Sequence, residues 1–142
     1  MRPDTTRTRP ADWPERLAAF IDARRDHGFA WGLHDCTTFA ADAVLELTGE
    51  DPAADVRGTY ATEEEAEAII GADGLEARVA GFLAGWGAPE CEPAFAQRGD
   101  IVFVEVGNQR MFGVHLGSAV AVPGVDRLYF APTSRVLRAW AV

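Results

Sequence analysis

Residues 98–117 read RGDIVFVEVGNQRMFGVHLG, and within this stretch the hydrophobic period of the chain changes. Ile101 to Val106 is a β-branched run, Gly107-Asn108 is a turn, and Met111 to Leu116 resumes as a second strand, which together predict a β-hairpin. The pattern persists downstream. Ala119 to Val122 and Leu128 to Ala131 are further strand segments around a turn at Pro123-Gly124, and Val136 to Val142 alternates small and large residues. Upstream, apolar residues recur at helical spacing instead. Helices first and an antiparallel meander or small barrel after them is the order of an α+β fold, not of alternating parallel βαβ units.

The helical half is punctuated by caps. Asp12 with Glu15 three positions on, and Pro14 in the first turn, predicts a helix to about Asp26 whose stripe is Leu17, Phe20 and Ile21, with Gly28 ending it. Asp35 is placed to cap a second helix from Cys36 to about Leu47, closed by Thr48-Gly49. Its inward face is Phe39, Ala40, Ala43, Val44 and Leu47. Glu50 to Tyr60 reads as a turn-rich crossing. Thr62 with Glu65 opens a short acidic helix that Gly71 ends, and its glutamates read as solvated. Leu75 to Ala84 is a further helix presenting Val79, Phe82 and Leu83 inward. Gly85 to Pro93 is a loop, and in it Trp86 is the aromatic expected to be exposed as a contact.

The chain has 142 residues, 48% of them hydrophobic and 25% charged, which suits one domain with its own core. A net charge of −9 works against phosphate backbones and anionic lipid surfaces, so neither nucleic acid nor membrane is an expected partner. All thirteen basic residues are Arg, which excludes lysine chemistry. No signal-peptide pattern and no apolar run near 18 residues occurs, so the chain is expected to stay soluble where it is made. Two cysteines are too few for a disulfide framework. Residues 1–11 carry three Arg, three Thr, two Pro and no large apolar residue beyond Met1, and predict a flexible arm whose positive charge could order against an acidic neighbour; residues 12–142 form the single domain.

Cys36 is the residue with chemistry in reach. In the first turn of a helix, a thiol feels the positive end of the peptide dipoles and unpaired N–H groups, both of which favour thiolate. It still needs a base, normally an imidazole held by a third polar group. Of three histidines, His27 ends the first helix and suits the surface. His34 lies two positions before Cys36 in the approach loop and is the weaker alternative. His115, inside a strand and free to meet the cysteine helix in space, is the better base candidate. Without such a partner, a free cysteine at a helix start serves as a small buried hydrophobe. Cys91, between acidic residues and prolines, reads as an inert loop thiol. No paired ligand spacing suggests a metal, no cofactor is implied, and Gly113 and Gly117 lie in a strand pattern unlike a phosphate loop.

Three segments together carry a likeness: Trp31-Gly32-x-x-Asp35-Cys36-x-x-Phe39, Arg98-Gly99-Asp100-Ile101-Val102-Phe103 and Gly113-Val114-His115-Leu116-Gly117. This set resembles the NlpC-type cysteine peptidases of the papain-like superfamily, most closely a degenerate branch encoded among phage tail-tip genes, and the likeness spans most of residues 13–142. It implies a papain-like fold, Cys36 as the nucleophile position, Asp35 and Trp31 beside the binding site, and peptide stems of bacterial cell wall as substrate. Aligned on its glycines, the family's histidine position falls on Met111. His115 is two residues further along, about 6.6 Å at ~3.3 Å per residue, whereas a base must stand within roughly 2.6–3.2 Å of its target. The third polar partner would fall among Ala119, Val120, Ala121 and Val122, none of which orients an imidazole. Two expectations follow. The first is a structural component of a bacteriophage or phage-like tail tip, made in the host cytoplasm, with a decayed site and with other tail proteins as partners. The alternative is an active cysteine endopeptidase or amidase using Cys36 with His115 or His34.

Overall fold

A computed structural model describes residues 2–5 and 7–142. Its helical half is organised by α2 (Cys36–Thr48), whose start is fixed by the residue before it. The Asp35 carboxylate accepts the N–H groups of Thr37 and Thr38, and the Thr38 hydroxyl accepts the Asp35 N–H, so orphan donors at the helix start are satisfied reciprocally. Gly49, at φ 77°, ends the helix. Between these caps Thr38, Phe39, Ala40, Ala41, Ala43, Val44 and Leu47 are buried, so α2 is covered on more than one side. It packs on α1 (Trp13–Arg24) through Phe20 and Phe39, whose rings stack at 5.5 Å.

The caps of the other helices differ in part from expectation. Asp12 makes no cap bond to α1, because its carboxylate is drawn 2.8 Å from Arg16 one turn on. Thr62 does cap α3 (Glu63–Ile70), accepting the Glu65 N–H at 3.1 Å. The last helix, α4 (Gly74–Trp86), runs further than predicted and takes Trp86 into its final turn. No helix among the described residues is long and apolar enough to cross a membrane.

Among the described residues, six antiparallel strands form one sheet in the order β1-β6-β2-β3-β4-β5. The expected meander is β2 (Ile101–Val106), β3 (Gln109–His115), β4 (Val120–Pro123) and β5 (Leu128–Ala131). From β5 the chain returns to lay β6 (Val136–Trp140) on the far side of β2. Where a loop was expected, Glu90–Cys91 forms the short β1 against β6, so Cys91 is a buried sheet residue, not a loop thiol. A register shift between Phe103 and Val104 bends the β2–β6 pair. Alternation then divides the sheet into two faces. Ile101, Phe103, Phe112 and Val114 meet the helices, while Val102, Val104, Val120 and Val122 cluster with Cys91 of β1 and Ala131 of β5. Residues of both edge strands in one cluster mean that the sheet curls, although it stays open. The curl draws strands close at Gly113, where an added Cβ would stand 2.6 Å from the Ala121 carbonyl oxygen.

Described residues of the amino-terminal arm, expected from composition to be free, contact the body; residues 1 and 6 lie outside the described residues. Arg2 grips the Asp100 carboxylate with both terminal nitrogens, and Arg9 donates to the carbonyls of Val142 and Arg98. Arg7 pairs with Glu50 at 2.9 Å and stacks 3.4 Å over Trp86. Trp86 is therefore a covered ring and not the exposed contact its loop-like sequence suggested.

Candidate functional site

Cys36 sits where α2 begins against β3. The backbone N–H of Phe112, the Thr37 hydroxyl and the cysteine's own N–H all ease ionisation of its sulfur, and the adjacent Asp35 opposes it. Burial outweighs them all and pushes the thiol up to about 11. The helix-start position alone predicts the opposite direction. The dipole and N–H groups are present, but Asp35 has already consumed the first N–H donors of the helix, and the sulfur faces an apolar space that cannot solvate a charge.

The two histidine candidates lie in other surroundings. His115 is 6% exposed at the end of β3, and its Nδ1 accepts the Gly117 N–H at 3.0 Å. Burial holds its pKa below the ordinary imidazole value, and the charges acting on it are Asp100 and Arg2, not Cys36. His34 is 4% exposed, with its ring edge-on to Phe39 and His27, and neither ring nitrogen has a hydrogen-bond partner among the described residues. Burial, with Arg24 and His27 nearby, also lowers its pKa. Met111, at the position where the likeness places a catalytic imidazole, joins the apolar cluster on the sheet face away from the helices. No histidine is among the groups acting on the Cys36 thiol. Neither do the described residues hold any group of three or more His, Cys, Asp or Glu arranged for a metal.

The structure assembles something else around Cys36. An apolar cavity of about 130 Å³ opens between α2, α3 and α4, lined by Cys36 and Trp31 and closed on one side by Tyr60. The Tyr60 hydroxyl donates to Asp35 at 2.6 Å, and with the Gly32 N–H at 2.9 Å it completes the donor set of that carboxylate. Burial and the bond to Asp35 both raise the phenol's pKa, so it stays a donor. Its placement comes from the crossing before it. Arg57 binds Asp51 at 2.6 Å and Asp42 of α2 at 2.7 Å, and Asp42 also meets Arg24 of α1 at 2.8 Å. Sequence reading overlooked Tyr60. The one local signal was an aromatic residue at the end of a turn-rich crossing, just before the Thr62 cap.

Asp35, Trp31 and Cys36 thus line one cavity, whereas His34, His115 and Trp86 are not part of that lining. No curated protein matches the chain. A family model described as "Domain of unknown function (DUF6950)" matches residues 8–142, nearly the whole of the sequence, and the chain belongs to that family.

Proposed function

We propose that this chain is a non-catalytic scaffold of the papain-like, NlpC type that serves as an assembly component of a bacteriophage or phage-like tail tip. The observation carrying this reading is the state of Cys36: a thiol raised to about 11 by burial, with no imidazole acting on it. At neutral pH a thiol with that pKa is about one part in ten thousand thiolate, too little for attack on an amide unless a base removes the proton. The bases in the chain are engaged differently, His115 beside Asp100 and Arg2, and His34 against Phe39 and His27. The cavity beside the sulfur supports binding over turnover, because a peptide substrate is rich in amides and charges and this wall is mainly apolar.

Incubation with purified cell-wall sacculi tests the reading. The wild-type chain and Cys36→Ala are expected to release no peptide fragments above buffer. Release by the wild type that Cys36→Ala abolishes would establish the hydrolase instead.

A further inference from the structure

The cavity beside Cys36 is larger than a thiol needs. At about 130 Å³ it approaches the ~150 Å³ at which an apolar cavity stays dry and accepts a benzene-sized guest. Val56, Ile69, Ile70, Leu75, Val79 and Phe82 are six of its fourteen lining residues, all of them apolar. Of the two charged groups in the lining, the Asp35 carboxylate is already satisfied and Arg78 is exposed against a ring. Asp35 accepts from the N–H groups of Gly32, Thr37 and Thr38 and from the Tyr60 hydroxyl, and Arg78 stacks 4.6 Å from the Phe82 ring centroid. An unfilled apolar void forfeits dispersion contacts that an apolar guest restores, while a charged guest would lose its hydration there.

The surroundings of the mouth say what kind of molecule carries the guest. Phe29, which lines the cavity, is 39% exposed, and its N–H meets the carbonyls of Gly124 and Val125. Val125 is 85% exposed and Leu33, in the same loop as Phe29, 77% exposed. Exposed apolar side chains therefore stand close in the chain or across a backbone contact to Phe29, on its side of the mouth. Helix α3, which lines the cavity through Ala66, Ile69 and Ile70, also carries Glu63, Glu64 and Glu67 exposed, and these make no ion pair among the described residues.

We propose that the cavity between α2, α3 and α4 is a socket for one uncharged aromatic or branched aliphatic side chain of a partner polypeptide, whose flanking residues cover Phe29, Leu33 and Val125. A free small molecule would fill the socket and leave this collar bare; a polypeptide covers both, with the inserted side chain as the anchor. The α3 glutamates favour cationic positions beside that anchor. The inference rests on the docking role proposed above and names the chemistry of its partner.

Calorimetric titration of the whole chain tests it with two probes, free indole and a pentapeptide carrying a central tryptophan between arginine-containing flanks. Indole is expected to bind and to slow alkylation of Cys36, the peptide to bind at least about tenfold tighter, and a peptide with serine for tryptophan to give no heat. Ala66→Phe, which places a ring in the socket, is expected to abolish binding of both probes. Should that variant fail to fold, protection of Cys36 in the wild type reads the same site. Absence of both indole heat and Cys36 protection overturns the socket, as does unchanged peptide binding to folded Ala66→Phe. Indole binding as tightly as the peptide overturns the polypeptide occupant. Sacculus cleavage alongside tight peptide binding would sink only the non-catalytic reading, whereas no cleavage and no binding would sink only the socket.

Discussion

Cys36 and Asp100 both stand at the start of a regular element, one opening α2 and the other preceding β2, yet their surroundings are opposite. Asp100 is fully buried and satisfied: the N–H groups of Gln97 and Val142 and both terminal nitrogens of Arg2 reach its two oxygens. Cys36 is half-buried against an apolar cavity, and the net effect on its thiol opposes charge. One position is organised to hold a charge and the other to avoid one. Two residues quoted in the same likeness therefore have opposite surroundings here. Asp100 ties Arg2 and Val142 to the sheet, and Cys36 lines the cavity.

The contrast can be broken at either end. Asp100→Ala removes the acceptor for four bonds and strands buried donors, so it is expected to cost about 3–5 kcal/mol. In thermal unfolding, that is a midpoint roughly 10 °C lower or more. The same change at Cys36 leaves every carboxylate and cap in place. A loss for Cys36→Ala as large as that for Asp100→Ala would contradict the assignment.

Gly32→Ala should come next. Gly32 has φ 78°, and a Cβ there would strike the Tyr60 carbonyl oxygen. Its expected cost of about 1–3 kcal/mol should fall on the Tyr60 crossing. Indole affinity therefore drops while Asp100 and the arm are undisturbed. A variant that loses stability but keeps indole affinity would separate Tyr60 from the cavity.

Removal of residues 1–11 is a milder test. A free arm would be dispensable for folding, but Arg2 of the arm binds Asp100 and Arg9 binds the Val142 carbonyl. Water can replace the lost arginines, and the Gln97 and Val142 donors remain, so the expected cost is about 1–2 kcal/mol, visible as a lowered urea midpoint. An unchanged midpoint would return the arm to the mobile state its composition suggested.

Local signals were legible in the sequence, and long-range pairings were not. The Asp35 cap, the Gly49 stop and the strands from Ile101 onward depend on neighbours within a few residues, and they stand where the period and caps put them. Glu90–Cys91 becomes a strand only because β6 returns beside it, and two residues carry no period of their own. Asp12 looked like a cap but found Arg16, a competition between two local partners that composition does not settle. Of the candidate site, Cys36, Asp35 and Trp31 were found from the motif. Tyr60, Ile69 and Phe82 reach the same cavity from three different segments. The arm's charge allowed ordering against an acidic neighbour, but which one was not legible, because the buried carboxylate nearly a hundred positions away leaves no trace among the arm's own residues.

The ionisation of Cys36 decides between wall and nucleophile most directly. Its rate of alkylation by iodoacetamide, followed from pH 5 to 11.5 and assigned to Cys36 by mass spectrometry, tracks the thiolate fraction. A thiol raised to about 11 should react ever faster with rising pH, close to tenfold per unit through the alkaline range, with no plateau below pH 10. A plateau reached by pH 7.5 would mean a stabilised thiolate beside a cation, and would contradict the account.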